Sequence, residues 1–404
     1  MPMNWEHKLG RRAALMPRNT VREFLKHAAR PGVTSFAGGL PAAELFPQAA
    51  VESAASRVLA RHGSKALQYG QTEGVPELRE YLARKFHSPV ENVLITSGAQ
   101  QALDVIGRVL LDPGDPVLVE NPTYLSLLSA WRPFDPKFRG VDLNDDATLA
   151  RALEPEPKVL YCMPNFQNPA GTTLALDRRR RLAELVSERG LLIVEDDAYG
   201  ELRYDGEPLP SLFELSGGKV IFAGTFSKVL APGLRVGWIV APRELTDAFV
   251  RAKQGMDLHT STFTQYLAWE LIEAGVVESQ LPILRREYRA RRDAMLEALA
   301  GAMPPVCAWN TPQGGMFLLL RLPPQISARE AARAALERNV LVVPGDDFHV
   351  AGGTNTLRLN FTNSQPEAIR HGIATLGELV TRMCQEAGAS SDDGGSKNSL
   401  SGEK

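Results

Sequence analysis

The stretch "KVIFAGTFSKVLAPGLRVGW", Lys219–Trp238, joins an apolar run of strand length to a turn of small and hydroxylated residues. That turn carries one lysine, Lys228, with Arg235 seven positions later. The run is apolar throughout rather than alternating, which is the pattern of a strand buried on both faces of a mainly parallel sheet. Lys228 is then either an ordinary solvated lysine at a strand end or a buried amine with a covalent role.

Working outward, residues 75–275 alternate short apolar runs with amphipathic helices. "NVLIT" precedes "AQQALDVIGRVLL", where Leu103, Ile106 and Leu110 form a helical stripe, and "PVLVEN", "KVLYCMPN" and "GLLIVEDDA" are further buried-strand runs. Strand–helix alternation predicts an α/β layered domain. After a long helix around 281–300 the pattern changes. "GGMFLLLRL" and "TLRLNFT" read as strands separated by the helix "SAREAARAALERN", a smaller α+β unit. Near the start, "RNTVREFLKHAARPG" reads as a helix with a Thr20–Glu23 capping box, stopped at Pro31-Gly32. "SFAGGLPAAELFP" reads as a loop.

These readings divide the chain into an N-terminal helix and loop belonging to the small domain (1–45), a large domain (46–285) and a C-terminal small domain (286–385). The Gly/Ser-rich tail (386–404) is expected to be disordered.

The bulk numbers exclude several classes. The 404 residues are 44% hydrophobic and 23% charged with a formal net charge of −2. No overall field attracts nucleic acid or an anionic membrane. Cys162, Cys307 and Cys384 are too few and too scattered for a disulfide framework or a zinc site, so no metal is expected. The start lacks the apolar core of a signal peptide. No apolar run approaches the ~20 residues that span a bilayer, and the expectation is a soluble cytoplasmic protein. "RREYRARRD" (Arg285–Asp293), with Glu287 and Arg291 four apart, reads as the solvated face of a long helix.

In an α/β sheet, ligands gather beyond the carboxyl ends of the strands. Those ends carry Ser97-Gly98-Ala99-Gln100, Tyr124, Asn168, Asp196 with Tyr199, and Lys228. Each has a bland alternative. The Ser97–Gln100 turn is either a simple helix cap or a phosphate seat of free backbone N–H groups. Asp196 is either a cap or a functional charge, and Asn168-Pro169-Ala170-Gly171 is a turn in its simplest reading. Arg358, taken singly, reads as solvated. No G-x-x-x-x-G-K-[ST] run is present, so a nucleotide P-loop is not the explanation.

Together the set fits one chemical problem. A buried lysine condenses with an aldehyde, and an ionised aspartate keeps a pyridine nitrogen protonated so that the ring draws in electrons. Tyrosine and asparagine hydrogen-bond a ring oxygen, while a second aromatic stacks on the ring. Thr225, Ser227 and Arg235 beside a helix start hold a phosphate. Pyridoxal 5′-phosphate has all of these parts.

The motifs "SFAGGLPAAELFP", "LQYGQTEGVPELRE", "ITSGAQQALD", "ENPTY", "NFQNPAGTT", "VEDDAYGEL", "GTFSKVLAPGLRVGW", "AKQGMDLHT", "PQGGMF" and "NTLRLNFT" follow one another in order. With them the chain, over about residues 15 to 380, resembles the class I, fold-type I pyridoxal-phosphate aminotransferases. It is most similar to the branch of 2-aminoadipate and kynurenine/2-aminoadipate aminotransferases. The resemblance implies a large domain with a mainly parallel seven-stranded sheet and a smaller α+β domain.

The resemblance also implies roles. Lys228 carries the covalent link to the cofactor and moves the substrate proton. Asp196 pairs with the ring nitrogen, Asn168 and Tyr199 hold the ring oxygen, and Tyr124 stacks on the ring. Ala99, Gln100, Thr225, Ser227 and Arg235 seat the phosphate. Tyr69 reaches the phosphate of a neighbouring subunit, which implies a homodimer with shared active sites. Arg358 takes the substrate α-carboxylate, Gly39 and Asn168 line the substrate pocket, and Arg22 contacts a distal carboxylate. Ala99 stands where a serine is frequent, a change that backbone phosphate contacts survive.

The implied reaction moves an amino group from an L-amino acid (2-aminoadipate, glutamate, aromatic or branched-chain) to a 2-oxo acid such as 2-oxoglutarate. A lyase or decarboxylase on the same scaffold is the alternative. A cofactor-sensing regulator is disfavoured, because only about 35 residues precede the "SFAGG" loop, too few for a winged helix.

Overall fold

The computed structural model describes residues 5–16 and 30–393. The expected helix with its Thr20–Glu23 box, and Arg22 on it, lie outside the described residues. Among those described, the largest sheet has seven strands in the order β2-β8-β7-β6-β5-β3-β4. They are β2 (Val93–Thr96), β3 (Pro116–Glu120), β4 (Lys137–Val141), β5 (Val159–Cys162), β6 (Ile193–Asp197), β7 (Ile221–Thr225) and β8 (Gly237–Val240). All neighbours are parallel except β8, which runs antiparallel to both β2 and β7.

The seven-stranded, mainly parallel sheet matches the expectation. The apolar runs name five of the seven strands; the structure adds β4 and β8, and burial accounts for β4 alone. β2, β5, β7 and β8 are buried at every position, whereas edge strand β4, "KFRGV", leaves Lys137 and Gly140 exposed. An edge strand tolerates such residues because one of its sides faces water.

Both faces of the sheet are covered. On one, Val117, Val119, Tyr161 and Val194 pack against Leu103 and Ile106 of the helix Ala99–Leu110 and against Trp131. On the other, Val93, Ile95, Phe222 and Trp238 pack against Tyr266 and Leu271. Each such side chain contributes roughly 1.5–3 kcal/mol when fully buried. The "FAGT" glycine follows from this packing, since a Cβ on Gly224 would lie 2.4 Å from the Trp238 ring.

A second sheet, β12-β13-β10-β9, is antiparallel. It contains β9 (Ala308–Trp309), β10 (Phe317–Arg321), β12 (Val343–Pro344) and β13 (Thr356–Asn360). β1 (Thr34–Ser35), just ahead of the "AGG" loop, pairs with β11 (Val340–Leu341). Alternation along β13 sends Leu357 and Leu359 into a core with Ile369, Ile373 and Leu376. It therefore sends Arg358 to the opposite face. The "SFAGGLPAAELFP" stretch is mostly loop, with one short 3-10 turn at Ala43–Leu45.

Two readings are corrected. Arg285–Asp293 lies on the long helix Val276–Ala302 as expected, and Arg286 and Arg289 are solvated, but the stretch is not a solvated face throughout. Arg291 is buried, donates to the Thr362 carbonyl at 2.6 Å and pairs with Glu44 at 2.7 Å. Arg292 is buried too and donates to the Pro312 carbonyl at 2.7 Å. Glu287 pairs with its neighbour Arg286 instead of Arg291. Charge spacing along one helix does not report the chain segments that pack over its flank. At the other end, the last helix runs Pro366–Asp393, past the expected start of the tail at Glu386. Met383, Cys384 and Ala387 lean on the second core there, apolar support that outweighs the polar composition.

Among the described residues no helix is long and apolar enough to cross a membrane. None of their His, Cys, Asp and Glu residues cluster to hold a metal ion.

Candidate active site

The carboxyl ends of β2, β3, β5, β6 and β7 converge, and the loop Ala37–Gly39 and strand β13 close over them. β6 ends in three successive acids, Glu195, Asp196 and Asp197. Tyr161 on β5 pairs in register with Val194, two residues before Asp196. Period-two alternation therefore puts the Tyr161 phenol and the Asp196 carboxylate on one face. The phenol donates to Asp196 Oδ2 at 2.8 Å. Asp196 Oδ1 is buried with no partner. Burial, with Asp197 nearby, pushes the Asp196 carboxyl up to about 7 against the Tyr161 hydrogen bond. An acceptor with a missing donor fits a ring N–H placed there, which would restore the charged form.

Lys228 follows β7 directly. Its Nζ donates to the Gly39 carbonyl at 2.8 Å. Burial, then the positive charges of Arg358 and Arg235, pushes this amine down to about 8. A lysine so tuned has free amine available near neutral pH.

Arg358 is buried rather than solvated. Its Nη1 donates to Asn168 Oδ1 at 3.0 Å and its Nη2 to the Ala37 carbonyl. The guanidinium carbon sits 4.5 Å from the Phe317 ring centre and 4.9 Å from that of Phe348. Arg358 Nε has no partner. Burial lowers this guanidinium to about 10, with Tyr199 and Tyr124 opposing. Tyr199 is buried edge-on to Phe317 and hydrogen-bonded to Asn168, and burial raises its phenol. Burial likewise raises Tyr124, which feels the charges of Asp196, Arg358 and Arg235. A Cβ on Gly39 would come 3.2 Å from Phe317, so this wall is tight.

The turn that opens the helix Ala99–Leu110 is built from backbone. Gly98 takes φ +83°, and a Cβ there would lie 2.6 Å from Arg235 Nη2. Glycine is required on both counts. The helix starting at Ala99 leaves its first N–H groups free beside the Arg235 guanidinium, which donates to the Ser97 carbonyl at 2.8 Å. The Thr225 hydroxyl lies 2.9 Å from that of Ser227 and accepts the Ser227 N–H at 3.1 Å. Gln100 turns its side chain outward to the Ser126 carbonyl. The cradle suits an anion.

The expected residues thus meet in one site, apart from two. Tyr69 is 78% exposed at the end of the helix Gln48–Leu67, edge-on to His259, and Arg22 lies outside the described residues. Sequence reasoning missed Tyr161. Its signal was a lone hydroxyl inside the buried run "VLYC", a group that must find a partner.

The family model for aminotransferase class I and II matches residues 36–376. The chain belongs to that family. It is an aminotransferase of the fold-type I pyridoxal-phosphate class, and pyridoxal 5′-phosphate is its cofactor. It is 45% identical to a 2-aminoadipate transaminase of Thermus thermophilus, over 94% of this chain and 98% of that one. It is 41% identical to an aromatic-amino-acid aminotransferase of Thermococcus litoralis, over 94% and 95%. Among solved structures it matches an alpha-aminoadipate aminotransferase of Thermus thermophilus complexed with N-(5′-phosphopyridoxyl)-L-leucine. That match has a TM-score of 0.90 at 44% identity, covering 95% of this chain and all of the other.

Proposed function

We propose that this aminotransferase takes the amino group of dicarboxylic and aromatic L-amino acids, 2-aminoadipate and glutamate foremost, and passes it to 2-oxo acids such as 2-oxoglutarate. The observation that carries the site assignment is the buried, half-partnered Asp196 carboxylate at the same strand ends as Lys228 and the buried Arg358 guanidinium, both of which donate to the Ala37–Gly39 loop. The relatives named above support the donor range.

Bound pyridoxal phosphate supplies an aldehyde and an electron-withdrawing ring that makes the substrate Cα–H acidic. Lys228 Nζ would take that proton from Cα and hold it, a role open to an amine that burial and the charges of Arg358 and Arg235 push down to about 8. Asp196 holds a negative charge at the ring nitrogen. Tyr199 and Asn168 donate to the ring oxygen, and Tyr124 covers the ring face. Ala99, Gln100, Thr225, Ser227 and Arg235 hold the phosphate. Arg358 has Nε to offer a carboxylate and loses little entropy, because two aromatic rings already hold its plane. Gly39 leaves room beside Phe317 for the substrate.

The same reading includes a cytoplasmic homodimer in which Tyr69, exposed in the single chain, serves the partner's phosphate site. It also includes domains at 46–285 and 286–385, and Arg22 as the contact for a distal carboxylate. A spectrophotometric half-reaction screen tests the donor range, scoring conversion of the bound aldehyde to its amine form by each L-amino acid. Conversion by 2-aminoadipate, glutamate and aromatic amino acids is expected. Loss of CO2 without transfer to 2-oxoglutarate would overturn the reading.

A further inference from the structure

Behind the phosphate cradle lies a polar network that none of the site roles above uses. Lys253, wholly buried on the helix Arg243–Asp257, donates to Asp257 Oδ1 at 2.8 Å. Gln101 Nε2 donates to Asp257 Oδ2 at 2.7 Å, and Gln101 Oε1 accepts the Ser97 backbone N–H at 2.7 Å. The Ser97 hydroxyl lies 3.3 Å from both Asp257 Oδ2 and the Thr260 hydroxyl. Gln265 Nε2 holds the Thr260 carbonyl at 2.7 Å. On the ligand side, the Ser97 carbonyl receives Arg235 Nη2. The Ser97 peptide is therefore gripped from behind by Gln101 and used in front by the arginine of the cradle.

The pair of a buried lysine and a half-buried carboxylate adds little stability for itself, because desolvation of the lysine offsets the attraction. It is nevertheless a rigid anchor, since both charges are fixed by hydrogen bonds. Beyond it the backbone is strained: Leu258 adopts φ 63° and ψ −58°, and the His259 N–H closes on the Asp257 carbonyl at 2.7 Å. A branched residue holds such a conformation only where its surroundings over-determine it.

We propose that Gln101, anchored by the Lys253–Asp257 pair, is the positioning residue of the phosphate cradle. It sets the Ser97–Gly98 turn, and with it the free N–H groups at Ala99 and Gln100 and the seat of Arg235. It acts on cofactor retention and not on proton transfer at Lys228. This rests on the cofactor reading above, so the wild-type protein, binding pyridoxal phosphate and turning over, is the control that separates failure of that reading from failure of this one.

The test is Gln101→Met, which keeps the side-chain length and leaves the ion pair intact. Pyridoxal-phosphate affinity is measured by dilution of the holoenzyme, inorganic-phosphate competition on the cofactor-free protein, and kcat at saturating cofactor. Cofactor and phosphate affinity should each fall about tenfold or more, as expected when the Gln101 bonds to Asp257 and to the Ser97 N–H are both lost, while kcat stays within about twofold. Gln101→Glu keeps the volume and the acceptor but sets a second carboxylate against Asp257, and should lose more affinity than Gln101→Met. The double variant Lys253→Met/Asp257→Asn, which leaves no lone charge, should reproduce the Gln101→Met loss. Wild-type-like affinity in Gln101→Met or Gln101→Glu, or a fall in kcat as large as the fall in affinity, would overturn the proposal. A lowered melting temperature with unchanged affinity would do the same, since that is the mark of a merely structural role.

Discussion

Asp196 and Asp197 are adjacent carboxylates on one strand, facing opposite sides of one sheet, and they are employed differently. Asp197 accepts the Gly200 N–H at 2.7 Å and the Asn165 amide at 3.2 Å, so one oxygen serves the turn after β6 and the other the segment after β5. Glu195 accepts the N–H groups of Leu212 and Phe213 in the same spirit. Asp196 has a single phenol and an empty oxygen. Of three acids in a row, two are consumed by the fold and one is withheld for a ligand. What sets Asp196 apart is the incompleteness of its hydrogen bonding rather than its burial, which Glu195 shares.

The largest expected effect tests the partner that this withheld charge serves. Lys228→Ala should lose at least about 10³-fold in transamination, since the one group placed to move the Cα proton is gone. It should retain pyridoxal phosphate, because the ring and phosphate contacts remain. Cofactor retention is read by absorbance after gel filtration and turnover by a coupled assay without added amine. An appreciable residual rate would remove Lys228 from the proton transfer.

The comparison itself is broken or upheld by a pair of variants. Asp196→Asn should lower turnover by more than about tenfold, roughly 1.4 kcal/mol in the barrier, with a smaller change in cofactor affinity. Asp197→Asn should leave kcat within about twofold and lower stability by about 1–3 kcal/mol, the cost of a disturbed buried hydrogen-bond set. Steady-state rates and denaturant melts on both proteins decide it. Reversed phenotypes would mean the two acids have been assigned to the wrong faces.

A pH series sharpens it further. In the cofactor-free protein the Asp196 carboxyl sits at about 7, above its unfolded value of ~3.9. The folded state then holds a proton that the unfolded state has released, so this group's contribution to stability falls as pH rises from about 4 to about 7. Asp196→Asn removes that contribution. Its stability relative to wild type should therefore be higher at pH 8 than at pH 5, as read from cofactor-free melts. A difference independent of pH would place the Asp196 titration elsewhere.

The smallest effect concerns substrate choice. Arg22→Ala should raise the KM for 2-oxoglutarate and 2-aminoadipate several-fold and leave leucine and phenylalanine nearly unchanged, the pattern of a lost charge contact. Equal losses for both kinds of substrate would overturn Arg22 as the contact for a distal carboxylate.

Most of the architecture was legible in the residues. Apolar runs such as "VLVE" and "VLYC" can hide only between two layers of helices, so their length and composition name a mainly parallel sheet before any neighbour is known. Strand-end residues are equally readable, because a parallel sheet puts its functional loops at one edge. Charged patterns were less readable. Arg291 and Arg358 both read as solvated in isolation and both are buried, because only the segments folded over them supply the carbonyl and carboxylate partners that make burial tolerable.

The sequence by itself determined the class of fold, the lysine at the end of β7 and the ordered motifs that place the chain among aminotransferases. Those are local properties of periodicity and residue type. Only the tertiary structure decided which of three successive acids keeps an empty oxygen, which tyrosine supports it, and how Lys253, Asp257 and Gln101 meet behind Ser97. Such choices depend on register across strands and on contacts as much as 160 residues apart along the chain, and no local pattern encodes where a hydrogen bond is left unmade.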